Sequence, residues 1–197
     1  MGQETDQSTP DEFAKAARCM SEPPPPRHNV ESGEYNHLLE RYKALAAIEH
    51  IDNPPPLVIV ESPFVGQSGA NGTTKNVAIR SRLLQLLTDA ELDDTLAHEL
   101  RHVAQQRSNQ SFDSSEGSEE DADKAAVIAT GNKEATITGL NKIASEQIKE
   151  VIAKMEKCFG DLSEEQIEKL INDQKAFLKI RTNAIKNVDL LPGGQGR

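Results

Sequence analysis

Leu96–Gln106 reads LAHELRHVAQQ, and His98, Glu99 and His102 within it spell H-E-x-x-H. On a helix, residues four apart share one face, so the two imidazoles can reach one metal ion. The glutamate between them would sit beside the metal's open position, where a carboxylate can take a proton from water. The same positions also fit two solvated histidines on a helix surface. A third ligand would separate the two readings.

Working outward, the flanks predict a helix. Thr88-Asp89-Ala90-Glu91 has the form of a capping box, a threonine N-cap with glutamate three residues on. Asp89, Glu91, Asp93 and Asp94 crowd the first two turns, and Arg101 and Arg107 lie towards the other end, as the helix dipole prefers. Leu92, Leu96, Leu100 and Val103 recur at helical spacing and form one apolar stripe. His98 and His102 point away from that stripe, towards solvent or a cleft.

Downstream, Glu119-x-x-Ala122-Asp123 follows His102 across a short loop. The pairing of H-E-x-x-H with a later E-x-x-A-D resembles the HtpX and CAAX-prenyl-protease group of gluzincin peptidases, with its small soluble minigluzincin relatives. Residues Asn76–Leu92 look like that group's strand, leucine-rich short helix and acidic lead-in, and the resemblance covers about Leu57 to Gly131. It implies zinc held by His98, His102 and Glu119, with Glu99 as general base. It also implies that Asp123 orients a ligand histidine. Glu116 and Glu120 are close enough in sequence to be alternative ligands. Arg101 stands where the group usually carries a small residue.

Composition narrows the function classes. A net charge of −10 disfavours nucleic acid and anionic membrane surfaces as partners. No run approaches the roughly 18 apolar residues of a membrane span. The N-terminus lacks a basic segment followed by an apolar run, so no Sec-type signal peptide is expected. Only Cys19 and Cys158 are present, far apart, and no disulfide framework is implied. A cytoplasmic location, or secretion without a Sec-type signal, follows. Aromatics make up 4% with no Trp, which predicts an aliphatic core.

The rest of the chain reads in order. Residues 1–33 are polar, contain Pro23–Pro26, and read as a disordered arm. Tyr35 to about Glu49 is an amphipathic helix. Tyr35, His37, Tyr42 and His50 are possible donors to a developing oxyanion, although core packing for the tyrosines and solvation for the histidines is the preferred reading. Leu57–Glu61 is a β-branched strand. Asn71-Gly72 is a candidate hairpin turn, with Lys75–Ile79 the returning strand. In the resembling family the equivalent strand lies along the cleft and pairs with extended substrate. Ala125–Ile128 point to packing against the motif helix. Beyond Thr138, two helical patterns separated by Gly160 and a second capping-box signature at Ser163–Gln166 form a helical hairpin.

The expected fold is α+β and mostly helical. It comprises a zincin-like core over 34–137 with a small antiparallel sheet, a hairpin over 138–188 behind it, and a flexible tail over 189–197. The expected function is a soluble zinc endopeptidase acting on a protein or peptide. A secreted bacterial effector is compatible with the small size and the N-terminal arm. The alternative is a catalytically silent zincin-like binding module.

Overall fold

The computed structural model of the chain describes residues 26–29, 35–66 and 69–190. It is mostly helical. Among the described residues, six helices accompany a four-stranded sheet: β1 (Arg27–Asn29), α1 (Asn36–Ile48), β2 (Leu57–Val60), β3 (Ala70–Gly72), β4 (Val77–Arg80), α2 (Ser81–Leu86), α3 (Asp89–Arg107), α4 (Ser115–Thr130), α5 (Lys133–Phe159) and α6 (Glu164–Lys186). No helix among the described residues is long and apolar enough to cross a membrane.

The motif helix α3 begins where its sequence says it should. Thr88 accepts from the Glu91 N–H, and the Glu91 carboxylate accepts from the Thr88 N–H at 2.8 Å. The two bonds satisfy donors that a helix start otherwise leaves unpaired. Leu96, Leu100 and Val103 are fully buried and Leu92 nearly so. Each such side chain contributes about 1.5–3 kcal/mol of transfer free energy. The stripe meets α1, whose Leu38, Tyr42, Leu45 and Ala46 follow the same helical period and are buried. Ala122 and Ala126 of α4 are small enough to let that helix lie close against α3. Ile128 departs from the expected packing and is exposed.

The sheet is mixed, which corrects the expected antiparallel arrangement. Its order is β1-β2-β4-β3, with β2 and β4 parallel and both outer pairs antiparallel. Asn71 and Gly72 are strand residues, not a turn. The turn is Thr73–Asn76, where Thr73 Oγ1 accepts from the N–H groups of Lys75 and Asn76. The chain leaves β2, crosses to the far edge as β3, and returns as β4 between them. A crossover of that length permits parallel pairing, which a tight turn would forbid. β1 lies within the stretch expected to be an arm. Residues 1–25 and 30–34 are outside the described residues.

β3 is the edge strand on the β4 side of the sheet, and it presses against α3. A Cβ at Gly72 would overlap the Glu99 carbonyl oxygen. Gln106 of α3 reinforces the contact like an extra peptide unit, donating to the Gly72 carbonyl at 3.1 Å and accepting from the Thr74 N–H at 3.2 Å.

The helical hairpin of α5 and α6 starts at Lys133, inside the stretch expected to be core. It forms a wall of the cleft that faces α3, and Lys142 reaches Glu91 at 2.7 Å. The Glu150 carboxylate accepts from the N–H groups of Val65 and Gly66, at 2.5 and 2.8 Å. No residue from 145 to 183 is buried, so the distal half of the hairpin adds little to the core. Cys158, near the hairpin tip, is disulfide-bonded, contrary to the sequence expectation. The chain's other cysteine, Cys19, is outside the described residues.

The Gly72 contact has a direct test. Gly72→Ala is expected to cost about 1–3 kcal/mol in urea denaturation, because the added methyl forces β3 away from α3. Gly117→Ala, where an added Cβ would have its closest neighbour at 3.7 Å, is expected to be neutral or slightly stabilising.

Candidate metal centre

α3 presents His98, Glu99 and His102 to a cleft of about 360 Å³ between α3, β3, α4 and the hairpin. α4 brings Glu119 opposite the two rings. Its start is set by Ser114, whose hydroxyl accepts from the Gly117 N–H. His98 Nε2 and His102 Nε2 lie 3.1 Å apart. Glu119 places Oε2 at 3.3 Å from the first and Oε1 at 3.2 Å from the second. These three side chains could hold one metal ion. Of the two other candidate glutamates, Glu116 lines the cleft but is exposed, and Glu120 pairs with Lys124 at 3.6 Å.

Each ring is held from behind. His98 Nδ1 meets Asp123 Oδ1 at 2.9 Å, and His102 Nδ1 meets Gln105 Oε1 at 2.8 Å. Asp123 is 1% exposed. A carboxylate so deep needs a full set of partners. It finds the second in Arg181 of α6, whose Nε and Nη2 donate to its two oxygens at 2.6 and 2.5 Å. Arg181 also places Nη1 at 3.3 Å from Glu119 Oε2. Sequence reasoning missed Arg181. Its one signal was a basic residue near the end of a long amphipathic helix, which is ordinary there.

The charges shift one another in consistent directions. Burial would lower the His98 pKa, but hydrogen bonds to Asp123 and Glu119 outweigh it and raise it to about 9. Burial opposes ionisation of Glu119, yet the two histidines and Arg181 hold it far below the ordinary carboxylate range. Asp123 is likewise lowered, against its burial, by Arg181 and His98. Glu99 moves the other way. It is buried, and desolvation pushes its pKa up, although His98 and His102 pull it down and the Gly72 N–H donates to it.

The four candidate oxyanion donors do not reach the cleft. Tyr42 is in the core, donating to the Pro55 carbonyl at 2.6 Å. Tyr35 packs against that core, and His37 and His50 are exposed. Arg101 faces away from the cleft and pairs with Asp121, Nε to Oδ2, at 2.7 Å.

Asp94, one turn before His98, also lines the cleft. It is 3% exposed, accepts from the Thr130 hydroxyl, and leaves Oδ2 without a partner among the described residues. Burial pushes its pKa up to about 7. The folded state therefore holds this proton more tightly than the unfolded state does. That contribution to stability is full below the unfolded pKa of 3.8 and is lost as pH rises through about 7. Asp94→Asn is expected to raise stability above pH 7 by up to about 4 kcal/mol, and by progressively less towards pH 4, in thermal melts across pH. Arg181→Leu is expected to cost about 3–5 kcal/mol by stranding Asp123, with a smaller cost in an Asp123→Asn background.

Comparison with family models, with curated proteins and with solved structures finds no match. What the site does is therefore carried by its own side chains.

Proposed function

We propose that this chain is a zinc-dependent endopeptidase. The observation that carries the reading is the convergence of three donor atoms beside a buried carboxylate in an open cleft. The two histidine Nε2 atoms are 3.1 Å apart, and the Glu119 carboxylate turns one oxygen to each of them, at 3.3 and 3.2 Å. Taken one from each residue, the ligand atoms lie within 4.8 Å of one another, close enough to share a single ion whose remaining position would face the cleft. A His-His-Glu donor set with outer hydrogen bonds on both rings also suits zinc better than a cation that prefers oxygen ligands.

Zinc, when bound, supplies Lewis acidity and lowers the pKa of water at its open position. Glu99 would take the proton from that water and pass it to the leaving amide nitrogen. Its raised pKa makes it a better acceptor for the water's proton, and a carboxylic acid is still far more acidic than an ammonium group, so the proton can pass on to the leaving nitrogen. The Gly72 N–H holds the carboxylate in place. β3 beside it offers the edge along which an extended peptide could lie. Arg181 is the cation nearest the ligands and faces the same cleft. The disulfide at Cys158 favours an oxidising compartment, and so secretion over the cytoplasm.

One observation favours a second reading, a catalytically silent binding module. Arg181 already supplies Glu119 with a positive charge at 3.3 Å, which is the role a metal would take.

Elemental analysis of protein purified without chelator separates the two. About one zinc per chain is expected in the wild type, with marked loss in Glu119→Ala. Glu99→Gln is expected to keep zinc and to hydrolyse unfolded casein about 10²–10⁴-fold more slowly. Undiminished hydrolysis in Glu99→Gln would overturn the mechanism. A wild type with neither zinc nor hydrolysis would leave the binding module as the reading.

A further inference from the structure

We propose that Gln105 is a positioning residue for the metal centre, setting the tautomer of His102 and the placement of Glu119 with one buried amide. The proposal rests on the metal-site reading above.

Gln105 is 5% exposed and sits three residues after His102, on the side of α3 that faces α4. A side-chain amide has two acceptor lone pairs and two N–H donors. Here all four are used. Oε1 faces His102 Nδ1 at 2.8 Å and accepts from Ser118 Oγ at 2.8 Å. Nε2 donates to the Ser118 carbonyl at 3.1 Å and to Asp121 Oδ2 at 2.9 Å.

The surroundings dictate which end of the amide is which. The Ser118 carbonyl is an acceptor by constitution. Asp121 is an acceptor because Arg101 donates to both of its oxygens, Nε to Oδ2 at 2.7 Å and Nη2 to Oδ1 at 3.3 Å. Turning the amide over would set its oxygen against both of these acceptors. The end carrying Nε2 is therefore fixed, and Oε1 must face the imidazole. An amide oxygen cannot donate, so His102 has to carry its proton on Nδ1. That leaves Nε2 as the nitrogen free to bind a metal, placed 3.1 Å from His98 Nε2 and 3.2 Å from Glu119 Oε1.

The same amide grips α4 one residue before the third ligand. The Ser118 carbonyl belongs to the peptide unit that enters Glu119. One side chain thus fixes the ring of one ligand and the backbone leading into another. The two histidines are also supported unequally. His98 leans on a charged carboxylate, Asp123, whereas His102 leans on a neutral amide. A neutral acceptor fixes the tautomer without adding a further negative charge to the ring.

The test begins without metal. Long-range proton–nitrogen NMR spectra of the ¹⁵N-labelled, metal-free chain report which nitrogen of a neutral imidazole carries the proton. The His102 signal is assigned by its loss in His102→Asn, and the neutral plateau is found by a pH series. The wild type is expected to show Nδ1–H at His102. Gln105→Leu is expected to move the population towards Nε2–H and to weaken zinc binding at least 10-fold in competition with a chelator, with the helical circular dichroism retained. A wild-type His102 protonated on Nε2 would overturn the proposal. So would Gln105→Leu with an unchanged tautomer and zinc affinity within twofold. If Gln105→Leu does not fold, Gln105→Glu replaces it. That variant keeps the acceptor at the ring, is expected to keep Nδ1–H, and overturns the proposal if it does not. Because the tautomer is read without zinc, absence of hydrolysis would count against the peptidase reading and not against this one.

Discussion

The Asp123 carboxylate, wedged between His98 of α3 and Arg181 of α6, is the contact on which the site depends. A carboxylate at 1% exposure is tolerable only because both oxygens are bonded and a full positive charge lies against them. Its partners come from two different helices. The ion pair therefore ties motif helix, second-ligand helix and hairpin at one point, and it orients a candidate ligand at the same time. Arg181, with Lys142 on Glu91 and Glu150 on the Val65 and Gly66 N–H groups, holds the hairpin over the cleft. A buried pair of this kind is weak evidence for net stability but good evidence for a specified geometry, since either partner alone would be costly.

Around that point the polar groups are arranged in opposition. Glu119 and Asp123 are held ionised by their neighbours, while Glu99 and Asp94 are pushed towards neutrality by burial. These four, among the six acidic side chains that line the cleft, would repel one another strongly if all were charged and dry. Splitting them into two strongly paired and two poorly solvated groups lowers that repulsion. It also separates their chemistry, leaving two carboxylates held against cations and two that hold a proton more readily. The apolar face of α3 makes this possible. Leu96, Leu100 and Val103 fix the helix rotation, and that rotation turns His98, Glu99 and His102 into the cleft together.

Much of this was legible along the chain because it is local. The capping box at Thr88–Glu91, the leucine stripe and the H-E-x-x-H spacing are properties of one helix, and helical periodicity alone relates them. Glu119 was legible for a different reason: its offset to Ala122 and Asp123 matched a pattern, while Glu116 and Glu120 remained open until the rings and the carboxylate were seen to meet. The parallel pairing of β2 with β4 was not legible. Ala70-Asn71-Gly72 has neither β-branched residues nor alternation, and it is a strand because Gln106 and the face of α3 hold it there.

By itself, then, the sequence determined the helices, their apolar faces, the start and stop of the motif helix, and the side chains that helix would project. These follow from interactions between residues a few positions apart. Only the tertiary structure decided that Arg181, 58 residues beyond Asp123, would be its partner, that Gln105 would bridge His102 and Ser118, and that the edge strand would abut Glu99. Those contacts join elements distant in the chain. Their partners are chosen by which buried groups would otherwise go unsatisfied, a constraint that exists only once the core has packed.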